Sequence, residues 1–167
     1  MEIVNKVAQS KLEVFDLEDY FPKASVVEMD ISIWLEEGFI LKEKDFRTKL
    51  SQHNWEQYQN KFVAITCTTE AILPAWAKIL VASYVIPYAS FVCEGTSKDI
   101  LVQYYQDKLA TLDYTLYQDK PVILKGCSKK AVPNEAYIIA LQHLQKVAKS
   151  IMYGEACSAV PLYKKVV

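Results

Sequence analysis

The chain has 167 residues, of which 51% are apolar and 23% charged, and a net charge of −1. This is the balance of one globular domain long enough to bury a core. It excludes the global positive field that would recruit nucleic acid or an anionic membrane. The opening MEIVNKVAQSKLEVFDLEDY carries acids throughout and has no apolar h-region, so no secretory signal is expected. The longest apolar stretch, residues 71–92, is interrupted by Pro74, Lys78 and Pro87 and does not read as a membrane span. A cytoplasmic protein is the expectation.

In chain order, Glu2 to Ser10 suggests a short helix and the alternation around Leu12 and Val14 a short strand. Pro22 and Lys23 punctuate a loop before a second short strand, Val26 to Met29. Asp30 can cap a helix running ISIWLEE that stops at Gly38, and Lys42 to Gln52 reads as a further helix. The run FVAIT (62–66) is continuous, apolar and β-rich, as a buried strand should be. A helix from Ala71 to about Tyr88 follows, then a strand SFVC (90–93) and a helix capped by Ser97 and reaching about Leu112. PVILK (121–125) is a third buried strand. Pro133 and Asn134 open a last helix expected to reach Met152 and stop at Gly154, leaving a short tail.

The alternation of strand and helix predicts an α/β fold: three layers, with a short parallel sheet of strands near 62–66, 90–93 and 121–125 flanked by helices. Residues 1–60 are expected as an N-terminal α+β segment covering a βαβαβα core over 61–167, within a single domain 1–167. No glycine belongs to a phosphate-binding loop.

Ligands of open parallel sheets bind beyond the carboxyl ends of the strands. Cys67, Cys93 and Cys127 each follow one predicted strand, and Glu155 and Cys157 follow the last helix. Neighbouring strands lie about 5 Å apart, so thiols at adjacent strand ends can share one ligand. Helices starting just after Cys67 and Cys127 would favour thiolate there. The thiol or ligand candidates are therefore Cys67, Cys127, Cys157 and Glu155, with Cys67 and Cys127 as the metal-binding pair. For Cys157 to join them, the last helix must cross the sheet obliquely or a second protomer must supply the tail, so a homo-oligomer is among the expectations. Against this stands packing: cysteine is a small hydrophobe and often buried. No CxxC pair marks a zinc ribbon, and structural disulfides are not expected in a reducing compartment. His143 reads as solvent-facing and His53 as a turn residue near a helix end; neither makes an evident catalytic pair, and whether the protein is an enzyme stays open. The tyrosines form no stacking platform with basic neighbours, which argues against nucleic-acid partners.

The segments EIVNKVAQSKLEVFDLEDY, GFILKEKDFRTKL, VILKGC and SIMYGEACSAVPLYKK resemble a bacterial family found mainly in Bacteroidetes and designated domain of unknown function 2480. The likeness runs over essentially the whole chain. Members usually carry a proline between Glu155 and Cys157, where this chain has Ala156. The resemblance implies no activity and no catalytic residue. It implies a genetic neighbourhood with iron–sulfur cluster assembly, and so partners among the proteins of that pathway and iron, zinc or a transient iron–sulfur species as cofactor or cargo. The expected function is a cytoplasmic protein with a thiol or metal site at the strand carboxyl ends. The alternative is a non-catalytic interaction protein whose cysteines are core packing.

Overall fold

Seven strands and four helices form among the described residues of the computed structural model, which are 12–126, 129–155 and 157–166. The α/β class expected from the alternation holds, with the strands arranged in two small sheets. The chain divides into two compact units, one built from residues 22–104 and the other from the described residues of 1–21 and 105–167.

The unit 22–104 is organised by three parallel strands in the order β2 (Val26–Asp30), β3 (Phe62–Thr66), β4 (Phe91–Glu94). β3 is central, and its first four residues are all buried because both faces of the strand are covered. Val63 and Ile65 pack on Trp34, Phe46, Trp55 and Val81, whereas Phe62 and Ala64 pack on Cys93 and Ile100. Each such apolar side chain contributes about 1.5–3 kcal/mol by leaving water. Asp30 accepts the Ser32 N–H and starts a short 3-10 turn, Ile31–Trp34, shorter than the helix expected there. Helix α1 (Glu43–Gln52) forms where its apolar spacing places it.

Helix α2 (Trp76–Val85) is shorter than the expected span 71–88. Residues before a proline are biased away from the helical region, and residues 71–74 form no helix. Thr68 is tied to Asp30 and Thr69 to the Gly38 carbonyl, so the chain after β3 is held in a loop until Pro74. Helix α3 (Ser97–Ala110) starts where expected, but Thr96 rather than Ser97 caps it: Thr96 and Asp99 bond reciprocally in a capping box.

The other unit has the strand order β1 (Glu13–Phe15), β5 (Pro121–Leu124), β6 (Ser150–Tyr153), β7 (Val160–Lys164). The first three are parallel, and β7 returns antiparallel to β6. The strand at 121–124 therefore forms and is parallel to its neighbours, but it does not join β3 and β4 in one sheet as expected. Its partner is β1, and the ion pairs Lys120–Glu13 (3.0 Å) and Lys125–Asp16 (2.9 Å) bracket that pairing. The segment 1–60 thus supplies one strand to each sheet. Buried Tyr105 adds a tie by donating to the Leu17 carbonyl (2.7 Å).

The last helix is also corrected. α4 spans Asn134–Leu144, not 134–152, and Ser150–Tyr153 is strand β6. The Lys149 N–H bonds the Lys120 carbonyl and the Asp119 N–H bonds the Val147 carbonyl, which draws the apolar run SIMY into the sheet beside β5. Tertiary pairing overrides helical propensity there. The helix expected at residues 2–10 lies outside the described residues. No helix among the described residues is long and apolar enough to cross a membrane.

Candidate functional site: two carboxyl edges

Each unit presents the carboxyl ends of parallel strands, and the sequence-designated residues divide between them. Cys67 follows β3 in the unit 22–104. Glu155 and Cys157 follow β6 in the other unit, and Cys127, which follows β5, lies outside the described residues. β3 and β5 belong to different sheets, so adjacency of strand ends does not join Cys67 to Cys127 as the sequence suggested.

At the edge of the four-stranded sheet, Leu124 and Tyr153 stand in register on neighbouring parallel strands. Lys125 and Gly154 therefore follow their strands at the same edge of the sheet. Gly154 adopts φ +121°, a conformation open to glycine, and a turn closed by the Ser158 N–H and the Glu155 carbonyl (3.0 Å) follows. Gly126 is needed for a different reason: a Cβ there would come within 2.7 Å of the Tyr153 ring. The edge is charged. Lys125 bonds Asp16, the residue directly after β1, at 2.9 Å. Asp16, by hydrogen bond and charge, and then Glu155 and Glu18 hold the Lys125 ammonium more basic than usual. Glu18 accepts the backbone N–H groups of Lys129 and Lys130. Cys157 is exposed and Glu155 half-buried. A thiol and a carboxylate that close in sequence suit a thiophilic cation, whereas the Lys125 ammonium suits an anion.

The other edge differs. The Cys67 sulfur is half-buried, 3.6 Å from the Thr69 carbonyl and 3.4 Å from its hydroxyl oxygen. The Thr69 hydroxyl proton goes to the Gly38 carbonyl (2.6 Å), which makes the Cys67 thiol the donor to Thr69. α2 begins only at Trp76, so the helix does not follow this thiol directly as expected, but its start, Ala75 and Lys78, lines the same cleft as the thiol. Cys67 lines a cleft of about 580 Å³ with Thr69, Leu73, Lys78 and Glu94, and Lys78 and Glu94 pair at 2.6 Å. Burial pushes Asp30 up, but hydrogen bonds from Thr68 and Ser32 prevail and hold it at about 2. Cys93 is buried, and desolvation pushes its thiol up to about 11.

The histidines are structural. His53 sits among Trp34, Trp55 and Tyr58, and its Nε2 faces the Tyr58 hydroxyl at 3.0 Å. His143 is half-buried and stacks on Tyr114 (5.3 Å, 8°) rather than facing solvent. The polar residues at the edges that sequence reasoning missed, Asp16, Lys125, Lys78 and Glu94, share one signal: three of the four end or directly follow a strand.

Among the described residues no group of three His, Cys, Asp or Glu side chains is placed to hold a metal ion. No curated protein and no solved structure matches the chain. The profile of the family described as "Protein of unknown function (DUF2480)" matches residues 1–165, and the chain belongs to that family.

Proposed function

We propose that this protein carries a thiol site at the carboxyl edge of the four-stranded sheet, with Cys127 and Cys157 as ligands or sulfur acceptors and Glu155 as a secondary ligand or base. Its cargo is thiophilic: iron, zinc or a transient iron–sulfur species. The observation that supports this reading is the register of Leu124 with Tyr153, since β5 and β6, the strands that precede Cys127 and Cys157 in the sequence, end at one edge of one sheet. The donor set also fits, because thiolate and carboxylate together bind borderline-soft cations. The setting is a reducing bacterial cytoplasm, where such thiols stay free, and the partners are other proteins of iron–sulfur assembly. Cys67 is a separate thiol candidate, in its own cleft beside Lys78 and Glu94.

The test is metal analysis of untagged protein purified without oxygen. Iron or zinc is expected to co-purify, to be lost in the Cys127→Ser/Cys157→Ser double variant and to be kept in Cys67→Ser. Metal-free protein, whose thiols also fail to take up added ferrous or zinc ion, would overturn the proposal.

A second reading, an interaction protein whose cysteines are packing, is favoured by Cys93, which sits in the core against Phe62 and Ile100. Under it the double variant would behave as the parent in every metal assay.

A further inference from the structure

Helix α2, WAKILVASYV, is apolar nearly all round, with Lys78 and Ser83 as its most polar side chains. Its sheet-facing stripe is Ala77, Val81 and Val85, all fully buried. A second stripe at helical spacing, Ile79, Ala82, Ser83 and Ile86, points elsewhere, and its two isoleucines are 69% and 59% exposed. A helix of this composition ordinarily has a partner on more than one side.

Beside that stripe runs β4. Among the described residues β4 has a neighbour in its sheet on one side only, β3. The Ser90 N–H bonds the Lys61 carbonyl. The Gly95 N–H bonds the Ile65 carbonyl while the Phe62 N–H goes to the β2 side, so by the register and alternation of the parallel ladder Val92 and Glu94 turn their N–H and C=O groups to the open side. The strand carries no lysine or proline that would blunt this edge, and such edges attract another strand. Between the edge and the outer stripe of α2 lies an apolar groove of about 450 Å³, lined by Ile79, Ala82, Ile86, Phe91 and Val92.

We infer that this edge and stripe form a twofold interface with a second copy of the chain, through antiparallel pairing of β4 with β4 and of α2 with α2. The argument for a second copy is self-complementarity. The Lys78–Glu94 bond sets the start of α2 level with the end of β4, and Ile86 lines the groove beside Ser90 and Phe91. The midpoint of the stripe, Ala82 and Ser83, is therefore level with the midpoint of the strand, Val92 and Cys93. One dyad normal to the sheet can pass through both levels, as an isologous interface requires. About it Ile79 of each copy meets Ile86 of the other across the small residues Ala82 and Ser83, which permit close approach of the helices. The charged end of each groove, Lys78 with Glu94, meets the uncharged end of the other, Ile86 to Ser90. A parallel arrangement would stack like on like. The result is one continuous sheet made from two three-stranded ones. The inference is independent of the thiol proposal, because neither Cys127, Glu155 nor Cys157 takes part.

Sedimentation velocity on the full chain over the micromolar range tests it. A dimer is expected, with Ile86→Asp weakening association at least about tenfold. Ile79→Ser serves should Ile86→Asp fail to fold, as judged by circular dichroism. In a Cys157→Ser background, Ser83→Cys should oxidise to a covalent dimer well ahead of Lys44→Cys, which is also exposed but lies on α1. A chain that stays monomeric throughout, a dimer indifferent to both isoleucine substitutions, or cross-linking no faster at residue 83 than at residue 44 would each overturn the inference. A monomer that instead captures a foreign extended peptide along β4 would do the same.

Discussion

Tyr153 lies opposite Leu124 on the neighbouring parallel strand, and its hydroxyl donates to the Gly126 carbonyl at 3.4 Å. The ring covers the point where the chain leaves β5, so the last residue of one strand braces the exit of the other. Gly126→Ala should disturb this brace, because the new methyl would fall within 2.7 Å of the ring. A loss of about 1–3 kcal/mol in denaturant unfolding is expected. Tyr153→Phe, which keeps the ring and loses only a long hydrogen bond, should cost much less.

The thiols should separate by reactivity. Limiting iodoacetamide at neutral pH, read by peptide mass spectrometry, should label exposed Cys157 first, half-buried Cys67 later and Cys93 last. Cys93 combines burial with a thiol pushed up to about 11, so its rate should trail that of Cys157 by at least about tenfold. Labelling of Cys93 at a rate near that of Cys157 would contradict its place in the core.

His53 gives stability an acid limb. Burial depresses its basicity below the ordinary value of 6.5, so the folded state favours the neutral ring. The Gln57 amide nitrogen, which can only donate, faces Nε2 at 3.2 Å, in agreement with an unprotonated nitrogen there. A depressed value means that the contribution is present above about pH 6.5 and is lost as pH falls below it toward the folded-state value. Unfolding free energy should decline over that window in the parent and stay flatter in His53→Gln.

Tyr105→Phe should cost about 1 kcal/mol, because it removes a buried hydrogen bond to the Leu17 carbonyl while keeping the ring. Gly154→Ala should cost about 1–3 kcal/mol, since φ +121° is strained for any residue with a Cβ and the Ser158 carbonyl oxygen stands 3.1 Å from where that atom would be. Chemical denaturation of each variant measures both.

The local signals for strands were strong: residues 62–66, 90–93 and 121–125 announce themselves by apolar, β-rich runs, and all three form. Sheet membership was not legible, because it depends on which strand β1 pairs with, and β1 is only three residues long. The same ambiguity misread Ser150–Tyr153: SIMY continues a helical period after Leu144, and only its pairing with β5 makes it a strand. Cys67 and Cys127 were joined by the assumption of one sheet. Once the sheet is divided, the edge shared by the segments after β5 and β6 carries the reading for Cys127, Glu155 and Cys157 instead.

The unit built around β1 and β5 brackets the rest of the chain, and 107 residues separate Glu13 from its ion-pair partner Lys120. On the ribosome this order matters. Strands β2, β3 and β4 all emerge before β5 does, so their unit can close while β1 waits with its hydrogen-bonding groups unpaired. The bracketing unit then completes only near termination, when β5 and β6 are released, and it bears the entropy of closing the longest loop in the molecule. Nascent chains stalled with residue 104 already outside the ribosome and residues 121–124 still inside should accordingly protect 22–104 from protease while leaving the β1 segment open to cleavage.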